Sequence, residues 1–184
     1  MSKLLIKNAR LVNEATVRES DVLIDGERIA RIDTDIGTPQ GAEVIDAAGK
    51  WLLPGMIDDQ VHFREPGMTH KGDLATESAA AAAGGITSFM DMPNVSPQTT
   101  TRQALADKYV MAADRCTANY GFYLGATNGN IEEVKALQVN EACGIKIFMG
   151  ASTGDMLVDN RAALEQIFEH APVMVVTHCE YSPT

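Results

Sequence analysis

Positive charge is in short supply in this chain: 15 Lys and Arg stand against 25 Asp and Glu over 184 residues, a net charge of −10. A surface of that sign argues against nucleic acid or an anionic membrane as the main partner, though it leaves room for an anionic ligand in a local basic pocket. Long apolar runs are missing as well, so no segment is expected to cross a bilayer. Cysteine is sparse: Cys116, Cys143 and Cys179 are odd in number, far apart and without zinc-finger spacing, which points to reduced thiols rather than a disulfide framework. There is no Gly-rich dinucleotide fingerprint and no phosphate loop, since Gly84-Gly85 closes a helical pattern instead of opening one. Nor does a signal peptide precede the first strand pattern after Met1-Ser2-Lys3, and the expectation is a cytoplasmic protein. What the chain does have is 45% apolar residues, enough for a real core.

Residues 3 to about 50 carry short β-type runs at Leu4-Leu5-Ile6, Arg10-Leu11-Val12, Val22-Leu23-Ile24 and Ile29 to Ile32, with Asp25-Gly26 as a tight turn. Residues 1–52 are therefore expected to form a small β-sandwich module, too thin to bury much apolar area alone. From Trp51 the pattern becomes strand, loop, helix, repeated, with strands expected near 51–57, 86–90, 119–124, 144–149 and 173–177. Helix starts are read at Asp73, at Thr100 with Gln103 in capping-box spacing, at Asn130 and at Asp159. Leu105, Tyr109, Ala112, Ala113 and Cys116 share one face of the second helix, and Leu164, Ile167 and Phe168 are expected to face inward from the fourth. Alternation of this kind calls for an α/β fold with a parallel sheet. Polar residues gather at the C-terminal ends of several strands, which favours a (β/α)8 TIM-type barrel over an open doubly wound sheet. About five strands fit where eight are needed, so residues 53–184 are expected to be the N-terminal portion of an incomplete barrel, and the chain the first part of a longer protein.

The richest stretch runs from Gly55 to Gly67. Trp51, Leu52, Leu53, Met56 and Ile57 read as a buried strand that ends in Asp58, Gln60, His62 and Arg64. Side chains of a strand alternate faces, so these four point the same way, a costly convergence unless something binds there. Lys146 lies inside the apolar run Gly144 to Gly150, where an ammonium would be badly desolvated. One reading is a lysine paired with a buried carboxylate. The other starts from the lowered amine pKa that burial brings: a neutral amine can take up carbon dioxide and become a carbamate, an oxygen ligand for metal ions. His178 ends the strand that begins at Val173, a second histidine at a strand terminus. With His62 and Lys146 at equivalent ends of their strands, the donor set suits Zn²⁺ or a similar divalent ion, which lowers the pKa of bound water. Asn94 follows another strand and offers an amide at the same rim, although Pro93-Asn94 is also an ordinary turn signal. His70 lies in a loop near the first cluster, and His170 near a helix end, where it helps the dipole.

Pro54 to Asp58, Val61 to Gly67, Met92-Pro93-Asn94, Gly144 to Gly150 and Thr177 to Glu180 together resemble dihydroorotases, cyclic-amide hydrolases of the amidohydrolase superfamily, alongside allantoinase and dihydropyrimidinase. The resemblance covers nearly the whole chain. It implies that His62 is the second histidine of a His-x-His metal motif, Lys146 the carboxylated lysine bridging one or two Zn²⁺ ions, and His178 a further metal ligand. Arg64 and Asn94 then hold the carboxylate and ring of a small-molecule substrate, and a guanidinium favours a carboxylated ring such as dihydroorotate over uncharged hydantoins. The resemblance also implies that the front module is part of a composite domain built from both chain ends, and that the protein is a homodimer or larger oligomer. Gln60 stands where the first metal histidine is expected, a form similar to one sub-branch of dihydroorotases; it weakens the more buried metal position. The later metal histidine and the general-base Asp are expected beyond the C-terminus, so the 184 residues alone are expected to be inactive. The rivals are an allantoinase or dihydropyrimidinase activity, and a catalytically silent homologue serving as a scaffold beside aspartate transcarbamoylase.

Overall fold

The computed structural model describes residues 2–150, 152 and 154–180. They divide into two compact units, with the boundary between Pro54 and Gly55.

In the first unit, β1 (Lys3–Asn13), β2 (Thr16–Asp25), β3 (Arg28–Asp33), β4 (Ala42–Asp46) and β5 (Trp51–Leu52) make one sheet, ordered β3-β2-β1-β4 with β5 also beside β1. The β2–β3 hairpin turns through Gly26 at φ 61, where Asp25 faces Arg28. The runs 4–6 and 10–12, expected as separate strands, are a single strand whose register slips between Ile6 and Ala9. Asn8 takes a left-handed φ of 55 at this bulge, and β4 and β5 pair with the two halves of β1 on either side of it. Buried Asp21 braces the bulge by accepting from the N–H groups of Asn8 and Ile36 at 2.9 Å each, with Lys7 3.6 Å away. The Ile36 bond above all holds its carboxyl below the usual range in spite of burial. The expected sandwich is thus one sheet among the described residues, and a second layer is not among them.

The apolar run 51–57 is not one buried strand. Trp51–Leu52 belongs to the first sheet and β6 (Met56–Val61) to the second, with Trp51 63% and Ile57 64% exposed. The reason lies at Pro54, which cannot donate to a ladder and divides the run.

The second unit continues with α1 (Leu74–Ala83), β7 (Ile86–Asp91), α2 (Arg102–Ala112), β8 (Asn119–Gly125), α3 (Ile131–Ala136), β9 (Gly144–Phe148), a 3₁₀ turn at Gly154–Met156, α4 (Arg161–His170) and β10 (Val175–His178). Its five strands are all parallel and adjacent in chain order, from β6 through β10. A doubly wound sheet would reverse its strand order at a switch point; unbroken order with a helix in every crossover is barrel growth. The sheet is a partial (β/α) barrel.

Helix starts follow local polar chemistry, and several differ from expectation. Asp73 caps α1 by accepting from Ala75 and Thr76 at 2.9 Å each, and α1 stops at Gly84. The cap of α2 is Thr101, which accepts from Ala104 at 3.1 Å, one residue later than the Thr100 box. Asn130 precedes α3 without capping it; its amide bridges Thr127 N–H, Thr100 O and Gly125 O, tying the loop after β8 to the segment before α2. At α4 the cap is Asn160, while Asp159 accepts from Asn128. Ile167 is buried as expected, but Phe168 is 56% exposed, because α4 buries a narrower stripe than its three apolar residues suggested. No described helix is long and apolar enough to cross a membrane.

Helices and strands meet across an aromatic layer, with Tyr109 of α2 4.8 Å edge-on from Phe122 of β8, and Phe63 4.5 Å from Phe89 of β7. Phe122 is fully buried at the centre of this layer. Phe122→Ala is expected to cost roughly 3–5 kcal/mol, read as a lower denaturant midpoint with little change in slope; a cost below about 1 kcal/mol would show that the layer collapses to fill the gap.

Candidate active site

β6 ends at Val61, and the chain turns through His62 into a loop that reaches α1. His62 is half-buried, with Nδ1 2.9 Å from Oδ1 of Asn94 in the loop after β7. An amide oxygen only accepts, so His62 carries its proton on Nδ1 and keeps the Nε2 lone pair for another partner. Burial first, and the Arg64 guanidinium second, push the imidazole below its ordinary value; Lys146 adds to the same effect, so the three lie within electrostatic reach.

Lys146 occupies the middle of β9 rather than its end. Its register partner is Val176 of β10, whereas His178 pairs with Phe148 two residues further on. Only the length of its side chain brings the amine toward the rim. Lys146 is 3% exposed, with Nζ 5.1 Å from the centre of the Phe148 ring, and no carboxylate pairs with it among the described residues. Burial lowers its pKa. On alternating strands Lys146, Phe148 and His178 share one face. His178 ends β10, its ring 6.2 Å from Phe148 and its Nε2 3.2 Å from Glu180.

Among the described residues no three His, Cys, Asp or Glu side chains converge as a ready metal site. The donor set fits a divalent ion only with Lys146 as a third ligand, and a plain amine there has neither the charge nor the oxygen that a hard or borderline ion prefers. A carbamate has both. Among the described residues the Lys146 amine has no carboxylate partner and His62 Nε2 no hydrogen bond, which leaves both open to such an ion. Gln60 lies exposed within β6, and its backbone N–H meets Asp58 at 3.1 Å.

The loop after β6 is held from several sides. Arg64 adopts φ 69, a left-handed backbone uncommon for a side chain of this size. Next to it, Glu65 accepts from Leu74 N–H at 3.0 Å and from Arg115 at 2.8 Å. Gly67 follows at φ 79, packed so closely that a Cβ would meet the Ser96 carbonyl at 1.8 Å. The two loops after β6 and β7 thus lock together and line, with Gly154, a cavity of about 410 Å³ that includes Met68, Asn94 and Gln98. His70 is exposed and makes no hydrogen bond among the described residues. His170 at the end of α4 sits 3.0 Å from the Gln166 carbonyl, away from this rim.

Two residues escaped the reading of the sequence. Asp91, the last residue of β7, and Lys108, in α2, are fully buried and 2.6 Å apart, and they bond the Phe63 N–H and the Met92 carbonyl near His62 and Asn94 in the chain. The signal was there: Lys108 stands three residues after Leu105 and four before Ala112, on the buried face of α2.

Residues 51–179 match the model of the amidohydrolase family. The chain belongs to the amidohydrolase family. It is 38% identical to a dihydroorotase of Methanosarcina acetivorans over 93% of this chain and 36% of that protein. It is likewise 38% identical to an allantoinase of Deinococcus radiodurans over 81% of this chain and 33% of that one. Among solved structures, an L-hydantoinase (dihydropyrimidinase) from Arthrobacter aurescens superposes with a TM-score of 0.90 at 30% identity, covering 100% of this chain and 42% of its own. The chain therefore spans 33–42% of the length of these relatives. The family is metal-dependent, and the homologues found are hydrolases of cyclic amides that carry different names: dihydroorotase, allantoinase and L-hydantoinase.

The Glu65–Arg115 contact has a pH signature. Burial pushes the Glu65 carboxyl up, but the Arg115 and Leu74 hydrogen bonds outweigh it and hold the carboxyl below its ordinary value. A depressed carboxylate stabilises the fold above its unfolded pKa and loses that contribution as pH falls through the folded one. Arg115→Gln should therefore lower the melting temperature at pH 6 and flatten its fall below about pH 4.3; parallel melting curves for parent and variant across pH 3–6 would contradict the clamp.

Proposed function

We propose that this chain carries the metal-binding and substrate-orienting part of a dihydroorotase-type hydrolase, interconverting N-carbamoyl-L-aspartate and L-dihydroorotate. The observation that carries this reading is buried Lys146, without a carboxylate partner among the described residues, within electrostatic reach of His62. Burial lowers the Lys146 pKa and so favours the neutral amine, the form that can attack carbon dioxide: the N–C bond forms, one N–H proton leaves to solvent, and the carbamate anion remains. His62 through Nε2, the Lys146 carbamate and His178 would hold Zn²⁺. Such an ion supplies an acidified water and polarises the amide carbonyl.

The chain's own groups do the orienting. Asn94 commits its oxygen to His62 and retains its NH₂ for an acceptor on the ring. Arg64 offers two parallel donors to a ring carboxylate, fixed by the loop that Glu65 ties down. Holding the ring at both edges converts an encounter into an oriented one, which lowers the barrier through lost rotational freedom. The likeness to an L-hydantoinase favours a second reading, hydrolysis of an uncharged cyclic amide. Arg64 separates the two, because a hydantoin or dihydrouracil ring has no carboxylate for it to bind.

In the protein at its natural length, Lys146→Ala should lose bound zinc and activity together, with short carboxylic acids partly restoring both. Turnover should favour dihydroorotate over allantoin and dihydrouracil, and Arg64→Gln should raise KM for dihydroorotate at least tenfold. Full zinc content in Lys146→Ala, or faster turnover of an uncharged ring, would overturn the respective parts of the reading.

A further inference from the structure

Behind the rim, Asp91 and Lys108 form an ion pair that is 0% exposed at both residues. Buried pairs of this kind contribute little net stability, because removing both charges from water costs about what their attraction returns. Their other contacts point to a different role. Asp91 accepts from the Phe63 backbone N–H through Oδ1 at 2.9 Å, fixing the peptide that joins His62 to Phe63. Its Oδ2 meets Lys108 Nζ at 2.6 Å as an ion contact off the angle of a regular hydrogen bond. Lys108 then donates to the Met92 carbonyl at 3.2 Å, two residues before Asn94, and lies 4.9 Å from the centre of the Phe122 ring. Between these two anchors, Met92 N–H donates to the Val61 carbonyl at 3.0 Å.

Each member of the pair therefore grips the backbone beside one partner of the His62–Asn94 contact. Asp91 ties the chain just past β6 through the Phe63 N–H, and Lys108 ties the start of the loop after β7 through the Met92 carbonyl. A contact 2.9 Å long between side chains on two loops survives only if both backbones hold still. We propose that Asp91 and Lys108 are a positioning pair that fixes the His62–Asn94 hydrogen bond, and with it the ring nitrogen that His62 presents to a metal ion. The last clause rests on the reading under Proposed function; the hydrogen bond itself does not.

The test uses the natural-length protein with ¹⁵N-labelled histidine, the His62 signals assigned by their loss in His62→Gln. In the metal-free parent, His62 should be protonated at Nδ1. Asp91→Leu/Lys108→Met replaces the pair with apolar groups and leaves no buried charge uncompensated, so the fold should persist, with a lower melting temperature because the Phe63 N–H loses its acceptor. The His62 signals should nevertheless shift toward a mixture of tautomers, and zinc affinity should fall about 10–100-fold. A folded double variant with parental His62 signals overturns the proposal. If the double variant does not fold, Asp91→Asn serves in its place: it keeps an acceptor for Phe63 but not the charge that holds Lys108, and an unmoved His62 signal in it is equally fatal. Zinc titration of the parent and of His62→Gln tests the underlying reading separately. A parent that binds no zinc, or binds it as well without His62, removes the metal-binding consequence while the tautomer result still decides the positioning role.

Discussion

Lys146 has 3% of its surface exposed, in the middle of a strand whose five residues are all buried, with an aromatic face for company and no carboxylate among the described residues. A full positive charge in that setting is penalised, the more so because no carboxylate pairs with it among the described residues. The fold can meet this constraint by keeping the amine neutral, and a neutral amine on the rim side of a barrel is a nucleophile toward carbon dioxide. Burial and the Arg64 guanidinium lower the pKa of His62, and His178 is delivered on the same face of the neighbouring strand.

The parallel sheet makes this assembly possible. Strands adjacent in chain order bring their C-terminal ends to one rim without any long structureless connection. The rim loops would be mobile if they were only loops. They are instead pinned by groups with no part in the chemistry: Glu65 between α1 and Arg115, Gly67 against Ser96, and Asn130 across three backbone groups. Preorganisation of this kind is what a site needs if its side chains are to stay within about half an ångström of a working geometry.

The sequence carried the fold class well, because period and punctuation report directly on parallel α/β units: the second to fifth barrel strands begin or end within a few residues of where the apolar runs put them. It misled where tertiary context overrides a local signal. Pro54 split an apolar run that looked continuous, and Asn130, with a good capping side chain, spent it on other backbone groups. Lys146 was legible as an anomaly but misplaced by half a strand, since side-chain length does not appear in a strand pattern. Asp91 and Lys108 were legible only as a pair, and their partnership spans a loop and a helix that no local window joins.

The account stands or falls on whether one ion is shared by three strands. Diffraction from zinc-loaded crystals of the natural-length protein, with data at the zinc absorption edge, locates the metal without reference to sequence. The account predicts an anomalous peak roughly 2.0–2.2 Å from His62 Nε2 and from an oxygen on Lys146, with His178 in the same coordination shell. Zinc bound elsewhere, with Lys146 a plain ammonium paired to a carboxylate, would contradict it.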